Sequence, residues 1–172
     1  MILYSQVFLH QGRQKSSRKT AILIGDSITQ QGFNGDGWVS KLCHEYSRKV
    51  DFFNRGYSGY NSEWVWSQLN EILGSIGRID LAVVFLGAND AVYEGFPSHV
   101  DLETYSRHLT SIVLQLQTIH QVQEVILVSP PPIAEGALTE RNKVSSNPRG
   151  LDRDNGHTKR YVDACRRVAH SL

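Results

Sequence analysis

Short apolar runs recur along this sequence, and segments with helical spacing separate them. The runs at residues 21–24, 81–86 and 125–128 contain no polar residue, and a weaker run lies at residues 50–53. A strand that is apolar at every position is typical of a parallel sheet with both faces covered, and parallel strands need helical crossovers. The pattern therefore predicts an α/β fold, a three-layer α/β/α sandwich with a central parallel sheet of flavodoxin-like type.

Helices are predicted between the strands from apolar residues that recur at helical spacing. They are expected near residues 37–49, 62–74, 101–119 and 161–168, and Ser62 and Asp101 are candidate N-caps. A polar stretch at residues 135–156 is long for a loop without structure. This stretch is therefore expected to be either a functional flap or partly helical.

The chain length of 172 residues fits a single domain. Residues 11–20 are polar and basic, so residues 1–20 are expected to form a flexible N-terminal lead-in and residues 21–172 the folded domain. The formal net charge is +1, with no long run of either sign. This charge distribution argues against nucleic acid as a partner, which would require basic residues clustered on one face.

Cysteine usage and hydropathy predict the cellular compartment of such a domain. Cys43 and Cys165 each lie in a helical pattern and are expected to be unpaired thiols, and no Cys/His spacing suggests a metal site. No apolar run approaches the ~20 residues of a membrane span, and the N-terminus lacks the basic residues and cleavage site of a signal peptide. We therefore expect a cytoplasmic location with no membrane span.

Three short glycine-containing segments each follow a predicted strand. The first segment is Gly-Asp-Ser at residues 25–27, the second is Gly-Tyr-Ser-Gly at 56–59, and the third is Gly-Ala-Asn-Asp at 87–90. In open α/β sheets ligands bind at the carboxyl ends of the strands, so the three segments are expected to meet at one site. Ser27 is a candidate nucleophile there, and the backbone N–H groups of Ser27 and Gly59 with the Asn89 amide are candidate donors to a developing oxyanion. Asp26 is expected to make a local turn hydrogen bond, and Asp90 to cap the segment that follows its strand.

These segments resemble the sequence blocks of the SGNH (GDSL-type) hydrolases, and within them the isoamyl acetate-hydrolysing esterase group. The resemblance covers about residues 20–170 and rests on GDSITQ at 25–30, Gly-Trp at 37–38, NRGYSGYNS at 54–62, FLGAND at 85–90 and SPPP at 129–132. It implies the SGNH hydrolase fold and a carboxylic ester hydrolase that acts on small acyl esters, such as short-chain acetates. It also implies Ser27 as nucleophile, Gly59 and Asn89 as oxyanion donors, and neither a cofactor nor a metal.

The same family carries its catalytic Asp and His in an Asp-x-x-His block after a fifth strand. The sequence ends at Leu172, before such a strand, so the domain is expected to be C-terminally incomplete and to lack the last strand and helix. Asp154 and His157 form a literal Asp-x-x-His and are a possible base pair, but they precede the last predicted helix. The favoured interpretation is that Asp154 or Asn155 caps this helix and that His157 lies in its first turn. The other histidines after the lead-in are not credible bases: His44 and His108 lie in helical segments, and His99, His120 and His170 have no Asp at a useful spacing.

Two alternatives to an active esterase remain at this point. A serine without a base is a poor nucleophile, so the chain could be a catalytically inactive form that binds a partner or a second copy. The strand at residues 125–128 would then present an open apolar edge for association. A flavodoxin-like module that binds phosphate is disfavoured, because the loops lack a dense run of glycines and a basic residue to receive the charge.

Overall fold

The computed structural model describes residues 18–143 and 151–172, and its centre is a four-stranded parallel sheet. The strands are β1 (Lys19–Gly25), β2 (Val50–Gly56), β3 (Leu81–Phe85) and β4 (Glu124–Val128). Their spatial order is β2-β1-β3-β4, so the chain crosses from β2 over β1 to reach β3. The predicted parallel α/β sheet of flavodoxin-like order is thereby confirmed.

Seven α-helices connect and flank these strands within the described residues. They are α1 (Ser27–Gln30), α2 (Trp38–Glu45), α3 (Ser62–Ser67), α4 (Leu69–Leu73), α5 (Leu102–Thr118), α6 (Glu135–Lys143) and α7 (Asn155–Ser171). A single 3₁₀ turn, Gln31–Phe33, continues from α1. No helix in the described ranges is long and apolar enough to cross a membrane.

The apolar runs of the sequence become the buried centre of the sheet. In β1, residues 21–24 have no solvent exposure, because β2 and β3 pair with this strand on either side and helices cover both faces. Alternate residues of β1 face opposite layers: Ile22 and Ile24 pack with α3, α4, α5 and α7, and Leu23 packs with α2. These two clusters are the two interlayer cores that the unbroken apolar runs predicted.

The structure adjusts several predicted boundaries. β1 begins at Lys19 rather than at residue 21, and β2 continues to Gly56 instead of ending at residue 53. Because parallel pairing with β1 runs through Gly25 and Gly56, tertiary contacts extend β2 by three residues past the apolar run at residues 50–53. The rest of the predicted lead-in, residues 1–17, lies outside the described residues.

The polar stretch that was predicted as a flap or as partly helical contains two helices. Residues 135–143 form α6, and α7 begins at Asn155, six residues before the first of the apolar residues that marked this helix in the sequence. Asp154 is the N-cap of α7 and accepts a hydrogen bond from the backbone N–H of His157, so the capping interpretation is confirmed. β4 is an edge strand of the sheet: no strand of the described residues pairs with its outer side, and Ile126 on this strand is 49% exposed.

Candidate active site

Ser27 lies at the start of α1, directly after the carboxyl end of β1. Asp26 is the N-cap of this helix, and its Oδ1 accepts a hydrogen bond from the backbone N–H of Ile28 at 2.8 Å, the local turn bond that the sequence predicted. Gly25 makes the turn possible, because a Cβ there would lie 2.2 Å from Thr29 Oγ1 and 2.7 Å from a backbone oxygen of β3. The strand-to-helix turn therefore fixes the position of Ser27 at the sheet edge.

Gly59 lies in the turn between β2 and α3, on the same side of the sheet. The turn is tied to the first segment by hydrogen bonds from Tyr57 N to Gly25 O at 2.9 Å and from Ser58 N to Gln30 Oε1 at 2.6 Å. Gly59 has a φ of +84°, and no atom of the described residues lies within 4 Å of the position that a Cβ would take. The glycine is thus required by the left-handed backbone and not by crowding, and its peptide borders open space.

Asn89 joins the second and first segments. Its Nδ2 donates to the carbonyl oxygen of Tyr60 at 2.8 Å and faces Asp26 Oδ2 at 3.5 Å. The second distance lies outside the usual range of about 2.7–3.2 Å, so this second N–H is only weakly engaged within the protein. An amide with one anchored and one weakly held N–H is suited to donate to a bound oxygen.

Ser27 and Asn89 line one cavity of about 290 Å³ at the carboxyl ends of the strands. Its other lining residues are Asp26, Ile28, Ala88, Pro131, Pro132, Ile133, Leu138, Arg153 and Thr158. The proline run after β4 and the start of α6 thus form one apolar wall, opposite the polar segments that follow β1 and β3. Gly59 is not among the lining residues. Hydrogen bonds nevertheless hold its turn against the segments that carry Ser27 and Asn89, and both of these residues line the cavity.

Arg153 is a member of this site that the sequence did not indicate. Its side chain is 16% exposed, pairs with Asp152 at 3.0 Å, and donates from Nη1 to the carbonyl oxygen of Ala88, the residue before Asn89. Burial raises the pKa of Asp26, while the bond from Ile28 and the charge of Arg153 act in the opposite direction. A single arginine in a polar stretch carries no sequence signal for this placement, because the contact spans 65 residues.

Asp154 and His157 do not come together with Ser27 in one cavity. Asp154 is occupied as a helix cap, and its Oδ2 accepts a hydrogen bond from the Tyr93 hydroxyl at 2.6 Å. The His157 ring packs between Tyr93 and Tyr161, with ring centroids 5.3 and 5.6 Å away, and its Nε2 is buried without a partner among the described residues. His157 lines a separate cavity of about 200 Å³ on the α5 side.

No histidine of the described residues lines the Ser27 cavity. The ring nitrogens of most of the others are engaged elsewhere: His99 with Val92 O, His108 with Ser62 Oγ, His120 with Asn70 Oδ1 and His170 with Arg166 O. His44 lines a separate cavity on α2. Within the same ranges, no cluster of His, Cys, Asp or Glu is arranged to hold a metal ion.

Comparison with known proteins places this arrangement in a family. The model of the GDSL-like lipase/acylhydrolase family matches residues 23–172. Over 154 residues the chain is 36% identical to the human isoamyl acetate-hydrolyzing esterase 1 homolog, a match that covers 86% of this chain and 61% of that protein. It is also 36% identical over 163 residues to a GDSL esterase/lipase of Arabidopsis thaliana, covering 90% of this chain and 67% of the relative.

Solved structures show the same fold at lower identity. The acetyl xylan esterase AlAXEase superposes with a TM-score of 0.69 at 19% identity, over 88% of this chain and 73% of that one. An acetyl xylan esterase from Geobacillus stearothermophilus gives a TM-score of 0.63 at 20% identity, over 89% and 72% of the two chains. The chain spans about three fifths to two thirds of the length of the sequence relatives above. By the family match over residues 23–172 and these identities, the chain belongs to the GDSL-like lipase/acylhydrolase family.

Proposed function

We propose that this protein is a carboxylic ester hydrolase of small acyl esters, with Ser27 as nucleophile. The observation that carries the proposal is that Ser27 and Asn89 line one cavity at the carboxyl edge of the sheet. In the proposed reaction the Ser27 hydroxyl attacks the ester carbonyl, and a general base takes its proton and passes it to the departing alcohol. Water then attacks the acyl-enzyme and loses a proton to the base, the acid is released, and the proton returns to the Ser27 oxygen.

The negative oxygen of the tetrahedral intermediate would be held by three donors, the backbone N–H groups of Ser27 and Gly59 and the weakly engaged Nδ2–H of Asn89. Loss of one donor of this kind typically raises the barrier by about 2.7–4 kcal/mol. Support for this assignment comes from the hydrogen bonds that fix Asn89 and the Gly59 turn relative to each other. The Arg153 bond to the carbonyl of Ala88 further restrains the segment that carries Asn89.

The size and walls of the cavity support a small substrate. A cavity of about 290 Å³ is at the lower end of the range for ligand sites, and Pro131, Pro132 and Ile133 give it an apolar wall. Short acyl esters meet both requirements, and the name of the human relative specifies an acetate ester of this kind.

Cys43 and Cys165 are both unpaired thiols, which supports the expected reducing, cytoplasmic compartment.

A second candidate is a catalytically inactive form that acts by binding. Two observations favour it: no described histidine lines the Ser27 cavity, and Ile126 of the edge strand β4 is 49% exposed. An apolar strand edge is suited to pair with another chain, including a second copy of this one. Without a base, a serine site retains only ~10³–10⁴-fold catalysis over water.

Covalent labelling separates the two candidates. The 172-residue chain is treated with a fluorophosphonate and read by intact mass, beside Ser27→Ala and, as a matched control, the surface variant Ser171→Ala. An active esterase labels once, loses the label in Ser27→Ala and keeps it in Ser171→Ala. We expect His157→Ala to keep the label as well, because His157 faces a different cavity.

Absence of labelling in a folded sample would refute the esterase proposal and favour the binding candidate. That candidate is then tested by sedimentation velocity over a range of concentrations, with Ile126→Lys as the edge variant. Association that rises with concentration and is abolished by Ile126→Lys supports pairing through β4. A monomer at every concentration contradicts self-association through this edge.

A further inference from the structure

Asp90 is a completely buried carboxyl group that the proposed reaction does not use. It has no solvent exposure, and its Oδ1 accepts a hydrogen bond from the backbone N–H of Ser62 at 2.9 Å. Its Oδ2 is buried without a partner among the described residues. The sequence predicted that Asp90 caps its own segment, but the carboxyl instead reaches the first residue of α3, 28 positions away. A buried carboxyl with a single backbone bond is costly to maintain and calls for an explanation.

Asp90 and its neighbour Asn89 hold the second segment at two points. Asn89 Nδ2 binds the carbonyl oxygen of Tyr60 at 2.8 Å, and Asp90 Oδ1 binds the N–H of Ser62 at 2.9 Å. Gly59 immediately precedes the first of these attachment points. Two consecutive residues of the third segment therefore fix the conformation of the turn that carries the Gly59 N–H.

The far side of this attachment reaches a histidine on α5. The Ser62 hydroxyl lies 3.3 Å from His108 Nδ1. The His108 ring in turn stacks on Trp66 of α3, with a centroid distance of 5.1 Å and an interplanar angle of 16°. Helix α3 is thus held at its first residue by the buried Asp90 carboxyl and near its last residue by the stacked His108 ring.

We propose that Asp90 is a positioning residue for ester hydrolysis, whose carboxyl holds the N-terminus of α3 and so fixes the Gly59 N–H relative to Asn89. The effect on catalysis rests on the proposed function, whereas the effect on the turn does not. The charged or titratable groups that act on Asp90 are Asp26 after β1, Tyr105 on α5 and Tyr161 on α7. None of these donates a hydrogen bond to Asp90 among the described residues: the Tyr105 and Tyr161 hydroxyls donate to backbone carbonyls.

The first test is amide hydrogen exchange of residues 57–64 in three variants. Asp90→Ala removes the acceptor, Asp90→Asn keeps an acceptor oxygen without the charge, and Asp101→Ala is the matched control. Asp101 also accepts a helix N-terminal N–H, from Thr104 at 2.9 Å, but on α5. A hydrogen bond to a charged group is worth about 1.5–3 kcal/mol, so Asp90→Ala should speed exchange of this segment about 10- to 150-fold.

Asp90→Asn should restore most of the protection, and Asp101→Ala should leave residues 57–64 unchanged. Equal exchange of this segment in Asp90→Ala and in the wild-type protein would overturn the proposal. An increase spread evenly over all elements would also overturn it, since that indicates global destabilisation only. If Asp90→Ala does not fold, Asp90→Leu, which has the same branching of heavy atoms without an acceptor oxygen, replaces it in the same comparison.

The second test measures the rate of Ser27 labelling by the fluorophosphonate in the same variants. Asp90→Ala should slow labelling by at least about tenfold, in line with loss of one well-placed donor, and Asp90→Asn should recover most of the rate. An unchanged rate in Asp90→Ala would refute the catalytic part of the proposal. If the wild-type chain itself does not label, the proposed function fails, and the exchange experiment still decides whether Asp90 positions the turn.

Discussion

The buried charge of Asp90 predicts a specific dependence of stability on pH. Burial raises the pKa of this carboxyl from its ordinary value of 3.8 to about 6, against the opposing effect of its bonds to Ser62. The folded protein therefore takes up a proton at a pH where the unfolded chain remains ionised. The stability associated with this group is fully present below pH 3.8 and is lost as pH rises through about 6.

The size of the effect follows from that pKa difference. A rise from 3.8 to about 6 corresponds to ~3 kcal/mol, at about 1.36 kcal/mol for each pKa unit. Asp90→Asn is neutral at every pH and so lacks this term. Relative to the wild-type protein, we expect Asp90→Asn to gain ~3 kcal/mol in free energy of unfolding between about pH 4 and pH 7.5.

The assay is urea denaturation followed by tryptophan fluorescence at several pH values between these limits. Asp101→Asn serves as a control, because the backbone hydrogen bond from Thr104 lowers the pKa of Asp101 from its ordinary value of 3.8. The stability that this group contributes is present above pH 3.8 and is lost only as pH falls below it, so the stability difference between Asp101→Asn and wild type should stay nearly constant between about pH 4 and pH 7.5. If the stability difference between Asp90→Asn and wild type is the same at both pH limits, the argument from burial of Asp90 is wrong.

Three further predictions concern the fold around the site. Gly56→Ala would place a Cβ 2.0 Å from a backbone nitrogen of α1, so we expect its free energy of unfolding in chemical denaturation to fall by about 1–3 kcal/mol or more. The control Gly77→Ala has no described atom within 4 Å of its Cβ, so its free energy of unfolding should stay within about 0.5 kcal/mol of wild type. Asp154→Ala removes the cap of α7 and should lower the free energy of unfolding by about 0.5–2 kcal/mol, and Asp154→Asn should restore most of this, because Asn is also a good N-cap. Equal losses in the two variants would contradict a capping role. Leu109→Ala should lower the free energy of unfolding by about 2–5 kcal/mol in thermal or urea unfolding, because Leu109 is 1% exposed. Leu114→Ala on the same helix, where the side chain is 46% exposed, should lower it much less, and similar losses would contradict the assigned core face of α5.

The sequence by itself determined the elements of the sheet and the residues at their ends. Buried strands of a parallel sheet must be apolar at every position, so their runs are visible without any knowledge of neighbours. Capping and turn chemistry are equally local, which is why the roles of Asp26 and Asp154 could be predicted from residues within three positions of them. The expectation that Ser27 and Asn89 share a site followed from their position after parallel strands alone.

Only the tertiary structure decided which distant groups meet at that edge. Arg153 contacts the carbonyl of Ala88 across 65 positions, and Asp90 binds the N–H of Ser62 across 28, pairings that no local pattern reports. The same holds for His157, whose spacing from Asp154 suggested a catalytic pair while its helix directs it into a different cavity. Sequence periodicity records which face of an element is buried, whereas the order of the strands and the packing of the helices determine what that face contacts.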